Sequence, residues 1–240
     1  MISRKKATGL VRARVAGRTL RIGLAPGVHP IDDIARAGLE RMPVRPGDSV
    51  LDLGCGAGLY GLSALCLGAA SVVLADIDPR AVACARSNAR RNRLAAVECL
   101  AGDFFSPVKG RRFDLIIANL PQTPGPAPFL LSKWGGADGT LHLRRLFREA
   151  PCHLTPGGCL YFILHDLADS RRIERLARRR FELRSACTLR REFDPAEYDG
   201  YSEGLFDYLD RLRRKGIARF HGRGRHRWFR LRFLTAAPRS

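Results

Sequence analysis

Between residues 49 and 118 the sequence alternates short apolar segments with segments of helical periodicity, and this alternation restricts the possible folds strongly. The apolar segments of strand length are residues 49–53, 71–75, 97–101 and 113–118. Helical stretches separate them at 58–67 and 79–92. Because each helix returns the chain to the same end of the sheet, such strands pair in parallel. The sequence therefore predicts an α/β fold.

The regions on either side extend this pattern. Residues 10–24 alternate apolar and polar positions around Ala16-Gly17 and predict a hairpin, and residues 31–42 have helical spacing. Later helices are predicted at 139–150 and 170–180, and later strands at 159–165, 181–189 and 228–234. We expect a doubly wound, mostly parallel, seven-stranded sheet. The expected division is a hairpin and helix extension at 1–47 and a domain at 48–240, with an insertion at about 191–227.

The chain is strongly basic, with 42 Lys and Arg residues against 23 Asp and Glu and a formal net charge of +19. Clustered cations bind phosphate backbones. Five of these cations are lysines and 37 are arginines, in short runs spread along the chain, which favours solvated helix faces over a nucleic-acid surface. In residues 221–232 arginines interleave with Trp228 and Phe229, a pattern typical of either an edge strand with an arginine face or an RNA-binding surface.

Cysteine and histidine positions point away from disulfides and metal sites. The seven cysteines show no C-x-x-C spacing and mostly lie in apolar runs, which favours reduced core residues. The histidines have no convincing ligand spacing, so no metal is expected. No apolar window approaches the roughly 20 residues that span a bilayer, and the basic first residues lead into no signal peptide. We expect a soluble cytoplasmic protein with no membrane partner.

A glycine-rich loop follows the first predicted core strand. Its glycines are Gly54, Gly56 and Gly58. Such a loop brings backbone close to a ligand at the carboxyl end of the sheet. Residues 56–61 also match the dinucleotide pattern G-x-G-x-x-G, but counting from the strand end puts Leu59 where the third glycine should be. Asp52 also favours a ligand that carries an ammonium group over a pyrophosphate, which a carboxylate repels.

Acidic residues follow the next two strands. Asp76 comes about 20 residues after the loop, the distance at which an acid accepts both ribose hydroxyls. Asp103 and Phe104 follow the third strand, where a carboxylate can accept the adenine amine and a ring can flank the base. Acids at successive strand ends predict a nucleoside-binding edge.

The fourth strand leads into Asn119-Leu120-Pro121-Gln122. The Asn119 side-chain carbonyl and the following backbone carbonyl can accept both protons of a planar NH2 group, and Pro121 fixes the turn. Such a turn presents a nitrogen without a strong base, so catalysis by Asn119 and Pro121 would be mainly positioning. A plain strand-ending turn is the alternative.

The block from Val50 to Leu100 resembles the core of the class I, Rossmann-like S-adenosylmethionine-dependent methyltransferases, and the resemblance extends over about residues 27–165. It implies S-adenosyl-L-methionine as the cofactor and a methyl acceptor, either a small molecule or a protein, as the partner. The cofactor contacts that it implies are Asp52, Gly54, Gly56, Gly58, Asp76 and Asp103, and Ile77, Phe104 and Asn119 complete the predicted cofactor-binding set.

The turn at 119–122 resembles the N-P-P-Y tetrad of the release-factor glutamine methyltransferases, within the small-domain group. Leu120 stands at the first proline and Gln122 at the aromatic residue. Nitrogen methylation of a protein side chain or small molecule is the leading hypothesis. Methylation of sulfur or oxygen in a small metabolite, with residues 194–208 as a lid, is one alternative. RNA methylation and a binding protein without transfer are the others.

Overall fold

The computed structural model describes residues 9–24 and 33–239. Contacts between residues group the chain into two compact units. The first unit comprises Met1–Asn119 and Cys152–Cys159, and the second comprises Leu120–Pro151 and Leu160–Ser240. The predicted extension at 1–47 and the predicted insertion at about 191–227 stay predictions.

The first unit begins with an antiparallel hairpin. Strands β1 (Leu10–Val15) and β2 (Arg18–Gly23) pair in register, with Ala16 and Gly17 at the turn in the left-handed backbone region. Helix α1 (Asp33–Leu39) covers part of the predicted helix at 31–42, whose first two residues lie outside the described residues. The predicted hairpin is confirmed.

Four parallel strands form the rest of the sheet in the first unit, in the order β5-β4-β3-β6. They are β3 (Ser49–Leu53), β4 (Ser71–Asp76), β5 (Val97–Ala101) and β6 (Phe113–Ala118). Helices α2 (Leu59–Cys66) and α3 (Pro79–Arg91) connect β3 to β4 and β4 to β5. Strands β3, β4 and β6 read as nearly continuous apolar runs because almost all of their side chains are buried.

The second unit is built on antiparallel strands. The strands are β7 (Leu154–His165), β8 (Phe181–Phe193), β9 (His221–Arg223) and β10 (His226–Pro238). Strand β7 begins in the first unit. The order in the sheet is β7-β10-β8, and β9 also pairs with β10. The helices are α4 (Leu141–Glu149), α5 (Ser170–Ala177), α6 (Pro195–Asp199) and α7 (Leu205–Arg214). Short 3-10 helices lie at Ser106–Val108 in the first unit and at Ala150–His153 between α4 and β7.

A buried carboxylate organises the arginines of the second unit. Asp166 accepts hydrogen bonds from Arg219 (2.8 Å), Arg230 (3.2 Å) and the Ser170 hydroxyl (2.8 Å). Arg232 lies 3.5 Å from Asp166 and 2.5 Å from Glu174. The guanidinium groups and the serine hydroxyl hold the pKa of Asp166 below its usual value, although burial acts in the opposite direction. Part of the high positive charge is therefore structural.

The predicted fold class, a mostly parallel α/β fold with an N-terminal hairpin, is confirmed. The predicted number of strands and the bounds of three strands need correction. The eight-stranded sheet contains β9, which the sequence did not predict, and β7, β8 and β10 are all longer than predicted. The seven cysteines are free, but the prediction of core positions is wrong for Cys152, which is exposed. Cys55 is buried, and the other five are partly exposed. Among the described residues, no helix is long and apolar enough to cross a membrane.

One buried side chain ties the hairpin to the glycine loop. Asn88 of α3 is fully buried, and its Oδ1 accepts the Gly23 N–H (2.8 Å). Its Nδ2 donates to the carbonyls of Gly23 (2.9 Å) and Ala57 (3.0 Å). Asn88 therefore holds β2 and the loop against the same helix.

Replacing Asn88 with alanine is expected to destabilise the fold. The change removes a hydrogen-bond partner of the buried Ala57 carbonyl and of the partly buried N–H and carbonyl of Gly23, which costs about 1 to 3 kcal/mol of unfolding free energy in total. Urea unfolding measures this loss. The Ser87→Ala variant, at the exposed neighbouring position, is the control and should stay within about 0.5 kcal/mol of the unaltered protein. Equal midpoints for the two variants would contradict the assigned role.

Candidate active site

The glycine loop is anchored to the end of β4 by its backbone. The N–H groups of Gly54 and Cys55 both donate to the Ala75 carbonyl, at 2.8 and 3.0 Å. All three loop glycines have positive φ, and Gly58 is the N-cap of α2. An added Cβ at Gly58 would meet Leu74 and Ala85 side chains at 3.1 and 3.2 Å. Both the left-handed backbone and this close packing require glycine at 58.

Asp52 lies at the buried end of β3 and joins this strand to α2. Its Oδ2 accepts the N–H of Gly61 at 2.8 Å, and its side chain is almost inaccessible to solvent. Burial raises the pKa of Asp52 to about 7, the Gly61 hydrogen bond opposes the shift, and nearby Asp76 adds to it. A cation placed beside Asp52 would stabilise its ionised form.

Gly61 is explained by packing against the neighbouring strand. An added Cβ would lie 2.3 Å from the Leu74 side chain and 2.9 Å from that of Val72. The match of residues 56–61 to the dinucleotide pattern therefore has a structural cause, the close approach of α2 to β4.

Asp76 supports the loop and is partly exposed. Its two carboxylate oxygens accept the backbone N–H groups of Gly56 and Asp78, each at 2.9 Å. The next side chain, Ile77, is apolar and 52% exposed. An acid with remaining acceptor capacity next to an exposed apolar side chain suits a ribose diol and a flat base.

The segment after β5 contains a strained backbone. Phe104 has φ of 53°, in the left-handed region that residues other than glycine seldom adopt. Its ring meets that of Phe105 edge-on, with centroids 5.9 Å apart, and Phe105 in turn stacks on His153 at 4.4 Å. This packing holds the strained turn, and Asp103 beside it is exposed.

The strand register brings the predicted residues to one edge. Leu53 of β3 pairs with Ala75 on one side and with Ala118 on the other. The residues that follow these three, Asp76, Gly54 and Asn119, therefore leave the sheet at the same level. Neighbouring strands are about 4.8 Å apart, so Asn119 and Asp76 stand about 10 Å apart at the strand ends. The Asn119 side chain is exposed.

Pro121 and Gln122 lie at the start of the second unit, directly after Leu120. Gln122 is buried, and its Nε2 donates to the Ile163 carbonyl at 2.8 Å while its Oε1 accepts the His165 N–H at 3.3 Å. The backbone of Gln122 is covered by Gly135, where a Cβ would lie 2.6 Å from the Gln122 Cα. Gln122 therefore fixes the turn to β7 and is not available to stack on an acceptor.

The buried structural roles of two positions were not predicted, although Gln122 belongs to the predicted turn. Asn88 and Gln122 are polar side chains that hold the loop and the turn from within the protein. A polar residue in a helix or after a turn usually indicates exposure, so their type alone gave no signal. The one sequence signal for Asn88 is the set of alanines on the same buried face of α3, which is typical of a closely packed helix face. These alanines are Ala81, Ala85 and Ala89.

The residues at the edge of the first unit fit S-adenosyl-L-methionine. The partly exposed Asp76 and the exposed Ile77 suit an adenosine, and the exposed backbone of Gly54 allows a close approach by its methionine part. The buried Asp52, with its raised pKa, suits the single ammonium group of that part. Among the described residues, no three His, Cys, Asp or Glu side chains are grouped so that they could hold a metal ion.

Curated relatives match the chain over part of their length. A ribosomal protein L11 methyltransferase from Dechloromonas aromatica is 42% identical over 134 residues, which are 56% of this chain and 38% of the relative. Another from Ralstonia nicotianae is 39% identical over 103 residues, which are 43% of this chain and 33% of the relative. The chain thus spans about a third of the length of these relatives.

Solved structures share the fold. A Thermus thermophilus 16S rRNA N2 G1207 methyltransferase in complex with AdoMet and guanosine aligns with a TM-score of 0.60 at 20% identity, over 96% of this chain and 50% of that one. A ribosomal protein L11 methylase from Lactobacillus delbrueckii aligns with a TM-score of 0.51 at 21% identity, over 85% and 76%. The family model for the methyltransferase small domain matches residues 24–186. The chain therefore belongs to the methyltransferase small domain family, a group of S-adenosyl-L-methionine-dependent methyltransferases.

Proposed function

We propose that this chain transfers a methyl group from S-adenosyl-L-methionine to a nitrogen of a protein side chain or small molecule. The observation that carries the proposal is the exposed Asn119, which follows β6 at the level where β3 leads into the glycine loop. The curated relatives, named for methylation of a ribosomal protein, support a protein acceptor. The cytoplasm is the proposed location.

The cofactor-binding role is proposed for the residues at the strand ends. Asp76 would accept the ribose hydroxyls, Ile77 and Phe104 would contact the adenine, and Asp103 would accept its amine. Asp52 and the backbone of Gly54, Gly56 and Gly58 would hold the methionine part. The bound cofactor supplies an electrophilic methyl group on a sulfonium sulfur.

Asn119 would position the acceptor nitrogen. Its Oδ1 accepts one N–H of a planar NH2 group and the backbone carbonyl that follows accepts the other, which directs the nitrogen lone pair out of the plane towards the methyl group. Pro121 restricts the turn because its φ is fixed near −65°. Holding the reacting atoms in line would account for catalysis without a general base. The acceptor nitrogen would lose its proton to solvent as its new bond to the methyl carbon replaces the bond between that carbon and the sulfonium sulfur.

A second candidate acceptor is the exocyclic amino group of a nucleobase. It presents the same planar NH2 geometry to Asn119 as a side-chain amide does. The solved neighbour that acts on 16S rRNA shares the fold, and the basic, aromatic β9–β10 region of this chain favours this candidate.

Calorimetry tests the cofactor site. The Asp76→Ala variant is expected to bind S-adenosyl-L-methionine and S-adenosylhomocysteine at least about tenfold more weakly, because a charged acceptor of two ribose hydroxyls is lost. Asp78→Ala is the matched control, since Asp78 caps α3 and faces Arg80. It should bind both ligands like the unaltered protein. Undiminished binding by Asp76→Ala would show that the ribose is held elsewhere.

The pH dependence of binding tests Asp52. Its raised pKa means that the carboxyl becomes ionised as the pH rises through about 7, and the ionised form attracts the ammonium group. Affinity for S-adenosylhomocysteine should therefore increase several-fold between pH 6 and 7.5. The Asp52→Asn variant should lose this dependence. 5′-Methylthioadenosine, which lacks the ammonium group, is the control ligand, and an equal increase for this ligand would contradict the assignment.

Turnover tests Asn119. With a methyl-labelled donor and ribosomal protein L11 or ribosomal RNA as acceptor probes, Asn119→Ala is expected to lower kcat about 10²-fold and to weaken cofactor binding much less. Asn119→Asp, which keeps an acceptor oxygen, should retain more activity than Asn119→Ala. Recovery of an S-methyl or O-methyl product, or full turnover by Asn119→Ala, would refute nitrogen methylation through this residue.

A further inference from the structure

The second unit presents a stack of flat side chains on one face of β8, β9 and β10. Trp228 of β10 pairs with His221 of β9 and with Glu192 of β8. The His221 ring stacks on the Trp228 ring with centroids 4.4 Å apart and an angle of 29° between planes. The guanidinium carbon of Arg190 lies 4.4 Å from the Trp228 ring centroid. We call Arg190, Trp228 and His221 the Trp228 stack.

The surroundings of this stack are strongly cationic. Residues 221–232, which form β9 and the start of β10, contain five arginines and no Asp or Glu. Arg225 has a side chain that is 87% exposed, and Arg190 one that is 58% exposed. The nearest acids are Glu192, 3.3 Å from Arg190, and Asp194, 4.0 Å from Arg225. Such exposed pairs contribute little to stability, so a phosphate can replace the carboxylate.

Some arginines of this region are engaged within the protein and others are exposed. Arg219 and Arg230 bind Asp166, and Arg227 donates to the carbonyls of Gly222 and Gly224. Arg190, within the stack, and Arg225, in the turn between β9 and β10, pair among the described contacts only with the exposed acids Glu192 and Asp194. Because exposed ion pairs of this kind are weak, these two guanidinium groups can bind a phosphate instead.

We propose that the Trp228 stack is a binding surface for single-stranded nucleic acid. A base extends the stack by lying on a flat side chain, and the neighbouring guanidinium groups bind the phosphates. His221 and Arg190 hold the indole in place before binding, which reduces the side-chain entropy lost on association. The inference rests on the second unit alone and does not depend on the role proposed for Asn119.

Fluorescence anisotropy with a labelled single-stranded RNA 12-mer tests the proposal. Trp228→Ala is expected to weaken binding about tenfold, the magnitude of one base–aromatic stack, because His221 and Arg190 lose the ring that aligns them for a base, with an unchanged salt slope. Arg190→Ala is expected to lower the slope of log affinity against log salt by about 0.7, the value for one phosphate contact on a single strand. Trp228 and Trp134 are the two tryptophans, so in a Trp134→Phe background RNA should quench the remaining emission.

The controls separate this surface from general charge attraction. Arg184→Ala removes an exposed arginine from the other end of β8 and should leave RNA affinity within about twofold. Arg190→Lys keeps the charge and loses the planar group. The slope of log RNA affinity against log salt should therefore stay the same, while the RNA affinity falls. This variant tests the stack even if Trp228→Ala fails to fold. DNA of the same sequence is a second arm: weaker binding assigns the surface to RNA, and equal binding assigns it to single strands of either sugar. Tighter binding of duplex RNA, or equal losses for Arg184→Ala and Arg190→Ala, would overturn the proposal.

Discussion

Two backbone hydrogen bonds from the start of the glycine loop to the Ala75 carbonyl fix the geometry on which the site depends. They attach the loop to the end of β4, so the Gly56 N–H can donate to the Asp76 carboxylate. Helix α2 then begins after Gly58 and packs against β3 and β4. The left-handed conformations of the glycines follow from this attachment. The parallel register then determines which residues leave the sheet beside the loop.

The residues that end each strand explain how well the strand bounds could be predicted. Strands β3, β5 and β6 have the predicted bounds, because short apolar or mixed runs end at clear turn residues. Strands β8 and β10 extend beyond their apolar portions because they pair with each other along their whole length. Backbone hydrogen bonds in such a ladder do not depend on side-chain polarity, so the arginines at 190 and 191 concealed the end of β8.

Within the site, residues placed by their sequence neighbours could be predicted, and residues placed by partners far along the chain could not. Asp52, Asp76 and Asp103 could be predicted as a group because their positions relative to strand ends are local in sequence. Asn88 and Gln122 could not, since their hydrogen-bond partners are 65 and 41 residues away along the chain. Gln122 also explains the departure from the aromatic residue of the related tetrad: its amide satisfies backbone groups of β7.

The Asn88 contacts link the amino-terminal hairpin to helix α3. Because the Asn88 amide donates to both Gly23 and Ala57, the hairpin and the glycine loop share one buried hydrogen-bond partner. A lineage that lost the hairpin would expose this amide and would have to replace Asn88 at the same time. The hairpin and α3 are therefore expected to be inherited together, so the presence of asparagine at this helix position can serve as a marker for homologous chains that carry the hairpin.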